Sequence, residues 1–178
     1  DTTKPYRGLE KKTLDTYGVS FKDDCIVFNY RDRTGQFCAQ KIRDKEPGTD
    51  GKRRTAWRGD AKKVAGFGQH LANPVKHDVL CVCEGELDAP SIYQSTNGKV
   101  AAISVPNGAA GAAKFVREHL DELLKFKTIT VCTDNDEPGH EAATAIMALF
   151  DPGKVRRALF PKKDANDTLQ ELGAQSVK

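Results

Sequence analysis

No hydrophobic run in the 178-residue chain approaches the ~20 residues that a membrane span needs, so no membrane contact is expected. No Cys-x2-Cys pair occurs either. The five cysteines, Cys25, Cys38, Cys81, Cys83 and Cys132, form an odd and scattered set. That pattern argues against a structural zinc site and a disulfide framework, and for a reducing compartment. Cys81 and Cys83 stand inside Val79-Leu80-Cys81-Val82-Cys83, which reads as a buried strand with Cys as a small hydrophobe. There is no internal repeat and no low-complexity tract. The opening Asp1-Thr2-Thr3-Lys4-Pro5 has neither an apolar core nor an initiator Met, so no signal peptide is expected, and the chain reads as cut from something longer. With 38% hydrophobic and 30% charged residues, the composition is polar but sufficient for a folded core.

The net charge of +3 hides an asymmetry, with residues 1–75 at +6 and residues 76–178 at −3. A basic first half suits a polyanion partner and a locally acidic second half suits a metal, although +6 over 75 residues is also an ordinary solvated surface. The densest basic stretch runs from Lys52 to Lys63 and holds Arg53, Arg54 and Arg58 around Trp57, the only tryptophan. Cations neutralise phosphates and an indole stacks on a base. Following the turn-rich segment 46–51, this stretch reads as a mobile loop that could order on nucleic acid or simply be solvated.

A short helix is expected over 8–17, stopped by Gly18, and two strands over 25–30 and 36–43, joined by a Gly-containing turn. The strand period puts Phe37, Ala39, Lys41 and Arg43 on one face. Two cations side by side could grip a phosphate, or form the wet face of an edge strand. Residues 64–74 follow, with Gly66-Phe67-Gly68 as an irregular bridge. From Val79 onward four short apolar runs, 79–83, 100–105, 128–133 and 155–160, alternate with helical stretches at 88–96, 109–125 and 138–150, and a last helix is expected over 164–172. Continuous apolar strands separated by helices predict an α/β architecture built on a four-stranded, mainly parallel sheet. A small basic α+β subdomain, 1–75, precedes it, and the α/β domain occupies 76–178. His119 falls in a predicted helix and reads as a surface residue.

Ligands of open parallel sheets bind beyond the carboxyl ends of the strands. Here the first strand runs into Glu84-Gly85-Glu86-Leu87-Asp88, the third into Asp134-Asn135-Asp136 and the fourth into Lys162-Lys163-Asp164. Packed carboxylates repel unless a cation intervenes, and hard oxygen donors suit Mg²⁺. The chemistry this favours is phosphoryl or nucleotidyl transfer. An EF-hand starting at Asp134 fails, because Ala145 stands where a bidentate Glu is required.

A Glu after the first strand and Asp-x-Asp after the third resembles the TOPRIM domain, found in primases, topoisomerases, nucleases and recombination proteins. Tyr6-Arg7-Gly8, Tyr17-Gly18-Val19, Ala39-Gln40-Lys41-Ile42-Arg43, Phe67-Gly68-Gln69-His70-Leu71 and Lys163-Asp164-Ala165-Asn166 narrow the likeness. With them the chain resembles the primase half of phage replicative primase–helicases, related to bacterial primases and to Twinkle. That resemblance implies template-directed synthesis of short RNA primers from ribonucleoside triphosphates on single-stranded DNA. It makes Glu84, Asp134 and Asp136 the central carboxylates for Mg²⁺ or Mn²⁺, assisted by Asp88 and Asp164. Lys41 and Arg43 would contact nucleotide or primer, with Arg53, Arg54, Trp57, Arg58 and Lys163 as further nucleotide or DNA contacts.

The chain departs from the related enzymes in two respects. It has no zinc cysteines, so no zinc is expected in this stretch, and no Gly-x4-Gly-Lys-Ser/Thr for ATP hydrolysis. A zinc-binding domain and a replicative helicase are therefore implied as partners in the full-length protein or complex. The implied location is the cytoplasm of a bacterial or phage-infected cell. A TOPRIM nuclease or topoisomerase fragment, and a non-catalytic module that binds template or docks a helicase, are the alternatives.

Overall fold

In the computed structural model, which describes residues 5–178, the chain builds two four-stranded sheets. The reading made of Asp1, Thr2, Thr3 and Lys4 lies outside the described residues. The first sheet is antiparallel in the order β1-β2-β3-β4: Val19–Lys22, Cys25–Arg31, Phe37–Asp44 and Thr55–Gly59. Helix α1, Lys11–Tyr17, leads into it. The second is parallel in the order β6-β5-β7-β8, where β5 is Val79–Cys83, β6 Ala101–Ser104, β7 Thr128–Cys132 and β8 Val155–Arg157. Its helices are α2, Asp88–Ser95; α3, Gly108–Glu118; α4, Leu120–Leu123; α5, Glu137–Met147; and α6, Ala165–Leu172.

Side chains along a strand alternate between faces, and β5 shows what that does. Leu80 and Val82 join one apolar cluster with Phe115 and Val116 of α3 and Ala142 and Ile146 of α5. Cys81 and Cys83 join the other, with Ala89 and Ile92 of α2 and Ala165 and Leu169 of α6. The sheet is therefore covered on both faces, as an all-parallel sheet must be. The second cluster also takes in Leu14 and Tyr17 of α1, Phe28 and Tyr30 of β2, and Phe67, so the antiparallel sheet and the parallel sheet share one core.

The join between the sheets is made at residues 67–68. Phe67 exchanges two backbone hydrogen bonds with Ser104, at 2.9 and 3.0 Å, and adds an antiparallel partner to the edge strand β6. Gly68 follows with φ +82° and opens a 3-10 turn, Gln69–Leu71. The Tyr17 ring lies directly against it, and the Tyr17 hydroxyl donates to the Ala102 carbonyl at 3.0 Å.

Several expectations are corrected. The basic stretch 52–63 is not a loop throughout. Residues 55–59 form β4, with Trp57 opposite Lys41 and its ring 4.9 Å from that of Tyr30. Antiparallel pairing with β3 from Ala39 to Arg43, together with packing of the indole against a buried ring, holds this polar segment as a strand. In consequence β3 lies between β2 and β4 and is no edge strand. The helix expected over 109–125 breaks at His119, which is buried at 5% exposure instead of lying on the surface. Its Nδ1 donates to the Phe115 carbonyl at 2.9 Å and its ring stacks on that of Phe115. Strand β1 is an addition to the expected elements, and β8 ends three residues earlier than expected.

Gly68→Ala adds a Cβ at a left-handed backbone position, into the Tyr17 ring and 3.2 Å from the Ala102 carbonyl oxygen. It should destabilise the protein by more than about 1 kcal/mol, read as a lowered Tm in thermal unfolding.

Candidate active site

The carboxyl ends of β5, β7 and β8 converge on a cleft of about 290 Å³ that also receives β3 of the other sheet. Sheet order explains the convergence: β5 and β7 are hydrogen-bonded neighbours, so Cys83 lies opposite Cys132, and the residues that follow them emerge side by side. Glu84 Oε2 thus comes within 3.4 Å of the Asp134 amide and accepts from it. The loop after β8 is tied to the loop after β7 by Asn135. Its amide donates to the Lys163 carbonyl at 2.7 Å, and its side chain donates to the carbonyls of Phe160 and Lys162 at 2.6 and 2.8 Å.

Three carboxylates meet there. Asp88, Asp134 and Asp164 each offer one oxygen, all within 4.8 Å of one another, and they are the one such metal-ligating group among the described residues. Asp88 is 4% exposed and opens α2. Its oxygens accept from the amides of Gly85 and Asn166, both at 3.0 Å. Asp164 caps α6 by accepting from the Asp167 amide at 2.6 Å. Burial first, and the neighbouring Asp164 second, push the Asp88 carboxyl well above the ordinary aspartate range. Burial likewise raises Asp164, and burial together with Asp134 raises Glu84. A set made only of hard oxygen donors, held close at an electrostatic cost, fits a hard divalent cation.

The other candidates from the sequence fall on both sides of the cleft. Asp136 caps α5, accepting from the Gly139 amide at 3.0 Å. Gly139 is required there because a Cβ would run into the Asp134 carbonyl oxygen. Lys163 lies 2.9 Å from Asp134 and 3.7 Å from Asp136, and the bond to Asp134 holds its ammonium above the usual lysine pKa. Lys41 and Arg43 face the cleft from β3, as does Arg53 from the stretch before β4. Arg54 and Arg58 are exposed, and the Trp57 ring lies 5.7 Å from the Lys41 ammonium.

Glu86 is the residue that sequence reasoning passed over. It stands within the acidic run after β5, but at 3% side-chain exposure it turns away from the other carboxylates. It pairs with the Lys41 ammonium, lies 3.6 Å from the Arg43 guanidinium and accepts from the Tyr30 hydroxyl at 2.9 Å. Lys41 also donates to the Pro106 carbonyl at 2.9 Å. The one available signal was the alternation Glu84-x-Glu86-x-Asp88 after a buried strand, which does not say which acid points where.

Residues 81–169 match the family model described as Toprim-like. The chain is 32% identical over 165 residues to the DNA helicase/primase of Enterobacteria phage T3, covering 90% of this chain and 28% of that protein. It therefore spans little more than a quarter of that curated relative. Among solved structures, the primase fragment of the bacteriophage T7 primase-helicase superposes with a TM-score of 0.81 at 29% identity, covering 96% of this chain and 70% of that one. The E. coli primase catalytic core matches with a TM-score of 0.58 at 16% identity over 93% of this chain and 57% of that one, a likeness of fold. The Toprim-like match takes in half of the residues, including every carboxylate of the cleft, and the chain belongs to the Toprim-like family.

Proposed function

We propose that this chain is the catalytic core of a DNA primase, joining ribonucleoside triphosphates into short RNA primers on single-stranded DNA. The observation that carries the reading is a single cleft with oppositely charged walls, Asp88, Asp134 and Asp164 on one side and Lys41, Arg43 and Arg53 on the other. The descriptions of the phage relatives, a helicase/primase and a primase fragment, support it. The acids suit Mg²⁺ or Mn²⁺ held by Asp88, Asp134 and Asp164 with Glu84 and Asp136 adjoining; such an ion supplies charge neutralisation at the reacting phosphate and a lowered pKa for the attacking hydroxyl.

The remaining work falls to the chain itself. Lys41 and Arg43, held in place by Glu86, bind triphosphate or primer oxygens. Lys163 leaves Asp134 and Asp136 to a cation and turns to phosphate. Arg53, Arg54 and Arg58 track the template backbone, and Trp57 offers a stacking face. The template runs in the groove between residues 1–75 and the acidic face of residues 76–178. Catalysis of this kind is positioning and electrostatics, so it needs no nucleophilic side chain. A zinc-binding domain for start-site choice and a helicase belong to the longer protein or complex, in the cytoplasm of the phage-infected cell. No helix of the described residues is long and apolar enough to cross a membrane.

Incubation with single-stranded DNA and labelled ribonucleotides should yield short RNA, and Asp134→Asn should lower the yield by at least about 100-fold. Cleavage of supercoiled DNA in place of RNA synthesis would return the chain to the nuclease or topoisomerase reading, and template binding alone to the non-catalytic one.

The acids set a pH dependence of cation binding. A carboxyl whose folded pKa is raised contributes stability below its unfolded value, and that contribution is lost as pH rises through the folded pKa. For Asp88, Asp164 and Glu84 the repulsion in the metal-free protein therefore grows as pH rises and each carboxyl loses its proton. The rise in Tm on adding Mg²⁺ should be larger at about pH 7.5 than at about pH 5, where protons compete for the same oxygens.

Neutralising Arg54 and Arg58 together should weaken single-stranded DNA binding. The slope of log affinity against log salt should fall by roughly 0.7 for each phosphate that no longer meets a cation. A fluorescence-anisotropy titration over a salt series measures it, and an unchanged slope would remove these residues from the template path.

A further inference from the structure

Of the cations that line the acidic cleft, most are engaged away from its metal-ligating carboxylates. Lys41 and Arg43 pair with Glu86, Arg7 pairs with Asp167, and Arg53 donates to the Lys45 carbonyl. Lys163 is the exception. Its ammonium lies 2.9 Å from an oxygen of Asp134, a member of the three-carboxylate group, and 3.7 Å from Asp136.

The loops fix this contact. Asn135 stands between the two aspartates in sequence, and its amide and side chain donate to the carbonyls of Lys163 and Lys162. The Lys163 backbone is thereby tied beside both carboxylates. Lys162 goes the other way and pairs with Glu171. The partners differ in exposure, 14% for the Asp134 side chain against 56% for that of Lys163. An ammonium at 2.9 Å makes a charge-assisted hydrogen bond, and one so open to water separates at small cost.

We propose that Lys163 is an internal competitor for the divalent cation, an autoinhibitory contact relieved by an exchange of partners. In the free protein the ammonium partly neutralises the carboxylates and holds one that a cation needs, so a lone cation binds against it. When the cation comes as its triphosphate chelate, Lys163 passes from carboxylate to phosphate as Asp134 passes from ammonium to cation. Neither charge is left without a counter-charge. The triphosphate half of this inference rests on the proposed nucleotidyl transfer, whereas the competition with the cation needs only the geometry.

The test compares Lys163→Met with the wild-type protein in two titrations. One follows Mn²⁺ by electron paramagnetic resonance without nucleotide, and the other follows a fluorescent ATP analogue in saturating Mn²⁺. Lys163→Met should bind Mn²⁺ alone at least about fivefold more tightly and the nucleotide at least about fivefold more weakly. A lysine with a merely structural role would move both affinities in the same direction, or neither. Lys163→Arg should keep the Mn²⁺ affinity within about twofold of wild type, since a guanidinium also pairs with a carboxylate. Lys162→Met removes the same charge one residue away and should likewise change Mn²⁺ affinity by no more than about twofold. In the wild-type protein carrying ¹³C-dimethylated lysines, Mg²⁺ alone should shift the Lys163 signal saturably.

Equal Mn²⁺ affinity of Lys163→Met and wild type would overturn the proposal. So would an equal gain in Lys162→Met, which would reduce the effect to net charge, or a Mn²⁺ gain with no loss of nucleotide, which would remove the exchange. Were Lys163→Met not to fold, a Lys163 signal unmoved by saturating Mg²⁺ in the wild-type protein would be equally fatal. RNA synthesis with unchanged Mn²⁺ affinity would sink this inference alone. A Mn²⁺ gain in a chain that makes no RNA would sink the nucleotidyl-transfer reading and support the competition.

Discussion

Glu86 is a carboxylate at 3% exposure set between two cations of the other sheet, and the arrangement of the cleft depends on it. It leaves β5 of the parallel sheet and reaches Lys41 and Arg43 on β3 and Tyr30 on β2. Burial, and then the adjoining Glu86 charge, raise the Tyr30 hydroxyl well above the ordinary tyrosine value, which keeps it a hydrogen-bond donor. Removing one member of a buried ion pair leaves the other uncompensated, at a cost of about 3–5 kcal/mol. The contact therefore fixes the two sheets relative to each other at the point where the cleft opens. Lys41 is accordingly no solvated strand residue: at 14% exposure it is held by Glu86 and by the Pro106 carbonyl.

On the opposite wall the physics is reversed. Asp88, Asp134 and Asp164 are brought together with Arg7 lining the same cleft, and Asp88 and Asp164 keep their places through backbone amides and a helix end. Asp88 accepts two amides, one from the turn after β5 and one from the start of α6. The same side chain thus joins the first and last strand ends of the site, and its burial follows from that structural task. Lys163 supplies the nearest positive charge, and because it is exposed it can leave at small cost. The fold holds the acids in a repelling arrangement and keeps a displaceable counter-ion beside them, which is what a site for a multiply charged ligand requires.

The two walls are held by different kinds of force, and that difference bears on function. The basic wall rests on a buried ion pair between sheets and on the Pro106 carbonyl. The acidic wall rests on helix caps and a loop-to-loop bridge through Asn135, so its spacing is set by the ends of α5 and α6. One wall thus carries charges that are already paired, and the other gathers carboxylates whose mutual repulsion a cation would relieve.

Much of this was legible from the chain alone. Leu80 and Val82 alternating with Cys81 and Cys83 marked a strand covered on both faces, and the acids after three apolar runs marked the ends where a ligand binds, because both signals are local and periodic. The resemblance carried by the acidic motifs reached the same parallel sheet. What the sequence left open was direction and proximity. Glu86 sits two residues from Glu84 and two from Asp88, yet it belongs to the basic wall. Thr55–Gly59 has one large apolar side chain, an indole, and becomes a strand where β3 pairs with it and Tyr30 receives that ring. His119 reads as a surface residue until Phe115 stacks on it. Asp88, Asp134 and Asp164 are distant along the chain, and only the order β6-β5-β7-β8 puts their oxygens within 4.8 Å. Local patterns determine which residues form elements and which face is apolar; the pairing of elements, which no local pattern encodes, determines which charges meet.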